Sequence, residues 1–158
     1  SYAMSMSSSF VQSRLKNIEV PSAATAKYVF LTSDRESRIS NILQVRSILD
    51  KKFTFVNPLN CEVSFLYRLL SDCTYLVCEN GSILFNVFMS RVRPYFVFAS
   101  DRCIQNSFSE DYYGGYIYNQ FHDSLVKYLY SPCICKGHHP YSDQITVSYN
   151  DLNFLLSL

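Results

Sequence analysis

From residue 27 the chain alternates short, wholly apolar runs with longer stretches in which apolar residues recur every three or four positions. Tyr28-Val29-Phe30-Leu31 is one such run, and it ends on Thr32-Ser33-Asp34. A run without polar alternation predicts a strand covered on both faces, and the polar residues closing it predict a helix to follow. That helix is expected over 36–51, where Ile39, Ile42, Leu43, Val45, Ile48 and Leu49 share a face. A second strand is expected at 53–56, stopped by Asn57-Pro58, and a helix over 62–71 turns Val63, Leu66, Leu69 and Leu70 inward.

The alternation continues with a strand at 74–78 and a turn at Asn80-Gly81-Ser82. A short helix follows through Ile83, Leu84, Val87 and Phe88, then a strand at 95–99. A polar, tyrosine-rich loop is expected over 100–118 around Gly114-Gly115. Beyond it lie a helix over 119–130 bearing Phe121, Leu125, Tyr128 and Leu129, a loop over 132–139, a last strand over 144–148 and a terminal helix over 152–158. Strands alternating with helices of this length predict βαβ units on a mainly parallel sheet. With right-handed crossovers the fold class is α/β, a three-layer Rossmann-like sandwich. Residues 4–26 form a polar segment with one weak helical stripe through Phe10, Val11, Leu15 and Ile18. Ser1 to Ala3, ahead of Met4, read as an expression scar.

Composition narrows the function classes. The 158 residues fit one domain, and 48% hydrophobic residues against 17% charged provide for a core rather than disorder. Fourteen Lys and Arg against thirteen Asp and Glu, with no basic block, argue against nucleic acid as a partner. No apolar run reaches the length of a membrane span. The beginning of the chain lacks the pattern of a secretory signal, so the six cysteines are expected reduced, in a cytoplasmic protein. The 13 Tyr and 12 Phe serve either as core filling, their default use, or as an interface.

In such sheets, ligands bind outside the carboxyl ends of the strands. Those ends carry Thr32-Ser33-Asp34-Arg35, Asn57-Pro58, Glu79-Asn80-Gly81-Ser82 and Ser100-Asp101. Gly81 lets a backbone approach a ligand, and Ser82 caps a helix whose N–H groups suit a phosphate; the alternative is a strand-to-helix turn needing glycine for its own geometry. Glu79 and Asp101, with Glu110 and Asp111, are the acids nearest the expected crevice. Each reads as a general base or as a capping or loop acid. Neither a Walker motif nor G-x-G-x-x-G is present. The octet Tyr28 to Arg35 resembles Tyr95 to Arg102, which two buried strands with Ser-Asp caps explain as well as a duplication does.

Cys133-Ile134-Cys135-Lys136-Gly137-His138-His139 places two thiols and two imidazoles together, the donor types zinc takes. The spacing departs from standard zinc patterns, so the expectation is a surface loop and no metal, with zinc as the minority alternative. His122-Asp123-Ser124 is not a triad, because adjacent helical positions do not face one another.

Residues 27–158 carry Arg38-Ile39-Ser40-Asn41, then a Phe53 to Pro58 strand end, then Glu62-Val63-Ser64, then Asn80-Gly81-Ser82-Ile83-Leu84-Phe85-Asn86. This succession resembles the carboxyl-terminal domain of glycosyltransferase family 61, which includes enzymes of capsular-polysaccharide biosynthesis. The resemblance implies one half of a GT-B enzyme that binds a nucleotide-sugar donor as substrate and requires no cofactor or metal. It implies Thr32, Ser33, Arg38, Asn80, Gly81 and Ser82 as donor-binding residues, with Arg38 on the diphosphate, and Asn86 as a lock on the turn. For Arg38 a solvated helix face is the other reading. Asn80 stands where the family has histidine, and Leu66 where it has glutamine. A GT-B enzyme closes two domains over its substrates, so a partner domain, subunit or homo-oligomer is expected. A degenerate, non-catalytic binding module is the alternative.

Overall fold

The computed structural model describes residues 26–33, 37–81, 83, 86, 95–107, 126–138 and 140–158. Five parallel strands form the main sheet: β1 (Tyr28–Leu31), β2 (Thr54–Val56), β3 (Tyr75–Glu79), β4 (Tyr95–Ala99) and β5 (Val126–Tyr130). Their order is β2-β1-β3-β4-β5. The chain therefore leaves β1 toward one edge and returns to build the other, which puts the switch in winding between β1 and β3.

Two apolar cores cover the sheet, and the strand residues alternate between them. On one face Val29, Leu31, Leu76, Cys78 and Val97 pack with Leu66, Leu69 and Leu70 of helix α2 (Val63–Asp72). On the other, Phe30, Val77, Phe96 and Phe98 pack with Val45 and Leu49 of helix α1 (Ile42–Leu49). The terminal helix α4 (Tyr149–Ser157) adds Leu152 and Leu155 to that second core. Strands buried on both faces read as continuous apolar runs, which is why β1, β3 and β4 were visible as strands. Helices on both faces make this the expected three-layer α/β sandwich. Much of the aromatic content among the described residues fills these cores, with Phe30 stacked on Phe55 and Phe98 at centroid distances of 4.7 and 6.0 Å. Among the described residues, no helix is long and apolar enough to cross a membrane.

Several elements differ from expectation. Helix α1 begins at Ile42 rather than at 36, because residues 38–40 spend their backbone groups on another segment. Ile145 N–H donates to the Arg38 carbonyl at 2.8 Å, and Ser40 N–H donates to the Ile145 carbonyl at 2.9 Å. Asn41 extends this seam, its side chain accepting from Val147 N–H and donating to the Val147 carbonyl, both at 3.0 Å. Val63, the first residue of α2, is 59% exposed, whereas Tyr67, one turn further along the same face, is buried with Leu66 and Leu70.

Residues 126–130 form an edge strand rather than the end of a helix, paired from Tyr95–Val126 to Ala99–Tyr130. The start of the polar loop expected after β4 is helix α3 (Asp101–Ser107), whose third amide donates to Ser100 Oγ at 3.1 Å. The loop at 132–139 contains β6 (Cys133–Cys135), which pairs antiparallel with the two-residue β7 (Gln144–Ile145) outside the main sheet. The amino-terminal stripe, most of the helix expected after Gly81 and the first part of the one expected over 119–130 lie outside the described residues.

Candidate functional site

A cavity of about 250 Å³ opens outside the carboxyl ends of β1, β2 and β3, at the winding switch. Arg38, Asn57 and Pro58 form part of its wall, Asn80 and Gly81 another, and Ile83 closes it with an apolar surface. Each strand end contributes for a local reason. Asn57 ends β2 by capping the single 3₁₀ turn at Pro58–Asn60, its Oδ1 accepting from Leu59 N–H at 3.1 Å. Leu59 stands on that turn at the rim of the cavity, 83% exposed.

Glu79 ends β3 at 1% exposure. Its Oε1 accepts from Thr32 Oγ1 at 2.9 Å, from Ser33 N–H at 2.6 Å and from Ser33 Oγ at 3.1 Å. Its Oε2 accepts from Ser37 Oγ and from Arg38 N–H, each at 2.7 Å. A buried carboxylate is tolerable only with such compensation, and here both oxygens are occupied. Glu79 thus joins β3 to the segments on both sides of the β1 turn. Both oxygens being taken, this acid has no open position from which to remove a substrate proton.

The remaining sequence-derived candidates divide cleanly. Thr32 is fully buried with its hydroxyl on Glu79, and Ser33 spends both its amide and its hydroxyl there, although Ser33 still borders the cavity. Arg38 is anchored by its backbone N–H and lines the cavity, and its guanidinium has no hydrogen bond or ion pair among the described residues. Asn80 is buried, its side-chain amide donating to Cys103 Sγ on α3 and its backbone N–H to the Phe98 carbonyl. Gly81 has φ +119°, a conformation L side chains rarely adopt, and a methyl group built on it would meet nothing within 4 Å. Its glycine is required by backbone geometry, and its open side leaves the cavity wall bare. Asn86 Nδ2 donates to the Ile83 carbonyl at 2.9 Å, fastening the turn that carries Ile83. Ser82 lies outside the described residues.

Asp101 is exposed in the first turn of α3 and does not border the cavity. That end of the sheet has its own polar node, centred on the buried Asp143, which sequence reasoning did not single out. Asp143 accepts from Ser100 Oγ at 2.8 Å and from Gly137 N–H at 2.9 Å, and Arg102 lies 3.5 Å away. The two similar octets therefore end alike: Ser33 and Ser100 each donate to a buried carboxylate delivered from elsewhere in the chain.

Cys133 and Cys135 are both on β6, the first half-buried and the second exposed like His138; His139 lies outside the described residues. Among the described residues, no three His, Cys, Asp or Glu side chains gather as metal ligands. Partial burial and the nearby Asp143 carboxylate push the Cys133 thiol above its ordinary value. All six cysteines are free thiols.

Comparison with protein-family models, with curated proteins and with solved structures finds no match.

Proposed function

We propose that this chain is the donor-binding half of a metal-independent, nucleotide-sugar-dependent glycosyltransferase of polysaccharide or glycan biosynthesis. The observation that carries the reading is Arg38 in the wall of the cavity that the bare backbone of Gly81 also lines, its guanidinium without a partner among the described residues. A planar, permanently charged fork of donors suits a diphosphate, and close backbone approach suits the same oxygens. Ile83, Pro58 and the exposed Leu59 supply apolar surface at the same cavity for a base or sugar. The motif resemblance over 27–158 supports the same assignment.

A cavity of about 250 Å³ is smaller than the roughly 300–1,000 Å³ usual for ligand sites. A whole nucleotide sugar needs a further wall, which a second domain, a partner subunit or a second copy of the chain supplies. Six free thiols fit a cytoplasmic setting.

One observation favours the second reading, a binding module without catalysis. Glu79 is saturated and the Asn80 amide is turned to Cys103, so neither offers a base or a proton carrier at the cavity. Calorimetric titration with UDP-, GDP- and CMP-sugars tests donor binding. Uptake of one series, weakened in Arg38→Ala, supports it; silence across all three overturns both readings as they concern a nucleotide sugar. Sugar transfer after addition of a partner domain separates the enzyme from the module.

A further inference from the structure

The donors around Glu79 have the composition of an oxyanion site. Two main-chain N–H groups, of Ser33 and Arg38, and three hydroxyls, of Thr32, Ser33 and Ser37, converge on a single carboxylate at 2.6–3.1 Å. They come from the carboxyl end of β1 and the segment after it, where a doubly wound sheet commonly holds a ligand phosphate with backbone amides and Ser or Thr hydroxyls. The anion that fills them comes from β3, 41–47 residues away along the chain. Ser37 Oγ is itself aligned by accepting from Ile39 N–H at 3.1 Å, so the donor set is ordered from behind.

We propose that Glu79 is a built-in anion: its carboxylate fills an oxyanion cradle at the end of β1, closes that cradle to phosphate, and holds the Arg38 backbone so that the Arg38 guanidinium receives an anionic ligand in the adjoining cavity. Glu79 borders the cavity, but with both oxygens taken by the cradle it acts as a positioning residue. The first two clauses stand on the hydrogen bonds alone, whereas the last rests on the donor-binding reading above. Two anions cannot share the cradle, because each oxygen of Glu79 already takes its N–H and hydroxyl donors and a phosphate brought beside it would face an uncompensated like charge. An incoming diphosphate is therefore steered to the side of the cavity where Arg38 and Gly81 stand.

Emptying the cradle tests this directly. In the full chain, Glu79→Ala is expected to lose thermal stability and to regain it in a concentration-dependent way with sodium formate or inorganic phosphate, at constant ionic strength against chloride. The wild-type chain gains nothing from formate, any gain it draws from phosphate at the Arg38 guanidinium disappears in Arg38→Ala, and the rescue survives in Glu79→Ala/Arg38→Ala because the cradle uses the Arg38 N–H and not its guanidinium. A variant indifferent to both anions, or a wild type stabilised as much as the variant, overturns the proposal. Hydrogen exchange on the wild-type chain keeps the question open to test if the variant does not fold: the Ser33 and Arg38 amides should exchange as slowly as those of β1 and β3. Exchange at the rate of an open loop overturns it. Inorganic pyrophosphate titrated into the wild type addresses the last clause. Binding lost in Arg38→Ala supports that clause; no binding, with formate rescue intact, removes the clause and the donor reading while the cradle stands.

Discussion

The Arg38 N–H lies 2.7 Å from Glu79 Oε2, so the residue that brings positive charge to the cavity is fastened through its backbone to the buried acid beneath it. The guanidinium is thereby left for the cavity while the chain that bears it stays fixed. A side chain held this way loses less freedom on binding than one on a loose loop, which is the physical meaning of a preorganised site.

Replacing Glu79 by Gln keeps the volume and converts one acceptor oxygen into an amide that faces donors. The backbone N–H that faces this amide, of Ser33 or Arg38, then loses its partner, while a hydroxyl can turn to accept from the amide, so unfolding free energy should drop by about 1–3 kcal/mol. Urea denaturation reads this as a lower midpoint at an unchanged slope. A midpoint equal to that of the wild type would mean that the donors do not depend on the charge.

How far the sequence showed this arrangement differs between scaffold and site. Phe30, Val77 and Phe98 announce buried strands because both neighbours of each are apolar too, and Leu66, Leu69 and Leu70 announce a helix by spacing. The edge strand β5 was misread because Leu125, Tyr128 and Leu129 imitate a helical stripe. The contrary signal was Val126 and Tyr128 alternating with Lys127, and among the described residues β5 pairs with β4 alone. Helix α3 has a single fully buried apolar residue in its first five, Cys103, and so no stripe to detect; Ser100-Asp101 was its one sign. The strand ends that line the cavity, at Asn57-Pro58 and Glu79-Asn80-Gly81, follow from the apolar runs before them, whereas Arg38 entered only through the family resemblance. The role of Glu79 was not legible. It depends on which strand lies beside β1, and that β3 rather than β4 does so is a matter of long-range packing. Ser37, the further donor that completes the cradle, was missed because the helix was expected to begin before it.

Arg38→Ala separates binding from folding. Its guanidinium has no partner among the described residues, so stability should change by no more than about 0.5 kcal/mol. Loss of charge-assisted hydrogen bonds worth about 1.5–3 kcal/mol should weaken diphosphate binding by roughly 10- to 150-fold. Thermal unfolding and titration with UDP, run on the same preparation, check both halves. A large loss of stability would recast Arg38 as a structural residue.

The two described glycines with constraints should fail for different reasons. At Gly81 an alanine methyl has room, and only the φ of +119° is penalised, at about 1–3 kcal/mol. At Gly137 the added carbon would sit 2.5 Å from the Ser142 carbonyl oxygen and its Cβ, so the Asp143 node must shift to admit it. Gly137→Ala should therefore also slacken the Ser100 and Arg102 contacts, which faster exchange of the Cys103 amide would register. Gly81→Ala should leave that amide unchanged, and equal effects on it from both variants would contradict the distinction.

Cys78 should make stability fall in alkali. Full burial, reinforced by the adjacent Glu79 charge, pushes its thiol far above the ordinary value in the folded chain. Below about pH 8.5, the ordinary thiol value, folded and unfolded states both keep the proton and the contribution is fully present. Above it the unfolded chain releases the proton while the folded chain retains it, so the unfolded state binds fewer protons and stability declines with rising pH. The slope from this one group is about 1.4 kcal/mol per pH unit. Cys61 and Cys133, also raised by burial, add to the total in the same direction. Urea unfolding at pH 8 and pH 10 for wild type and Cys78→Ala isolates the term, because the other thiols cancel in the comparison. The variant should start less stable and lose less between the two pH values. Equal losses would mean that the folded state lets the Cys78 thiol ionise as readily as the unfolded chain does.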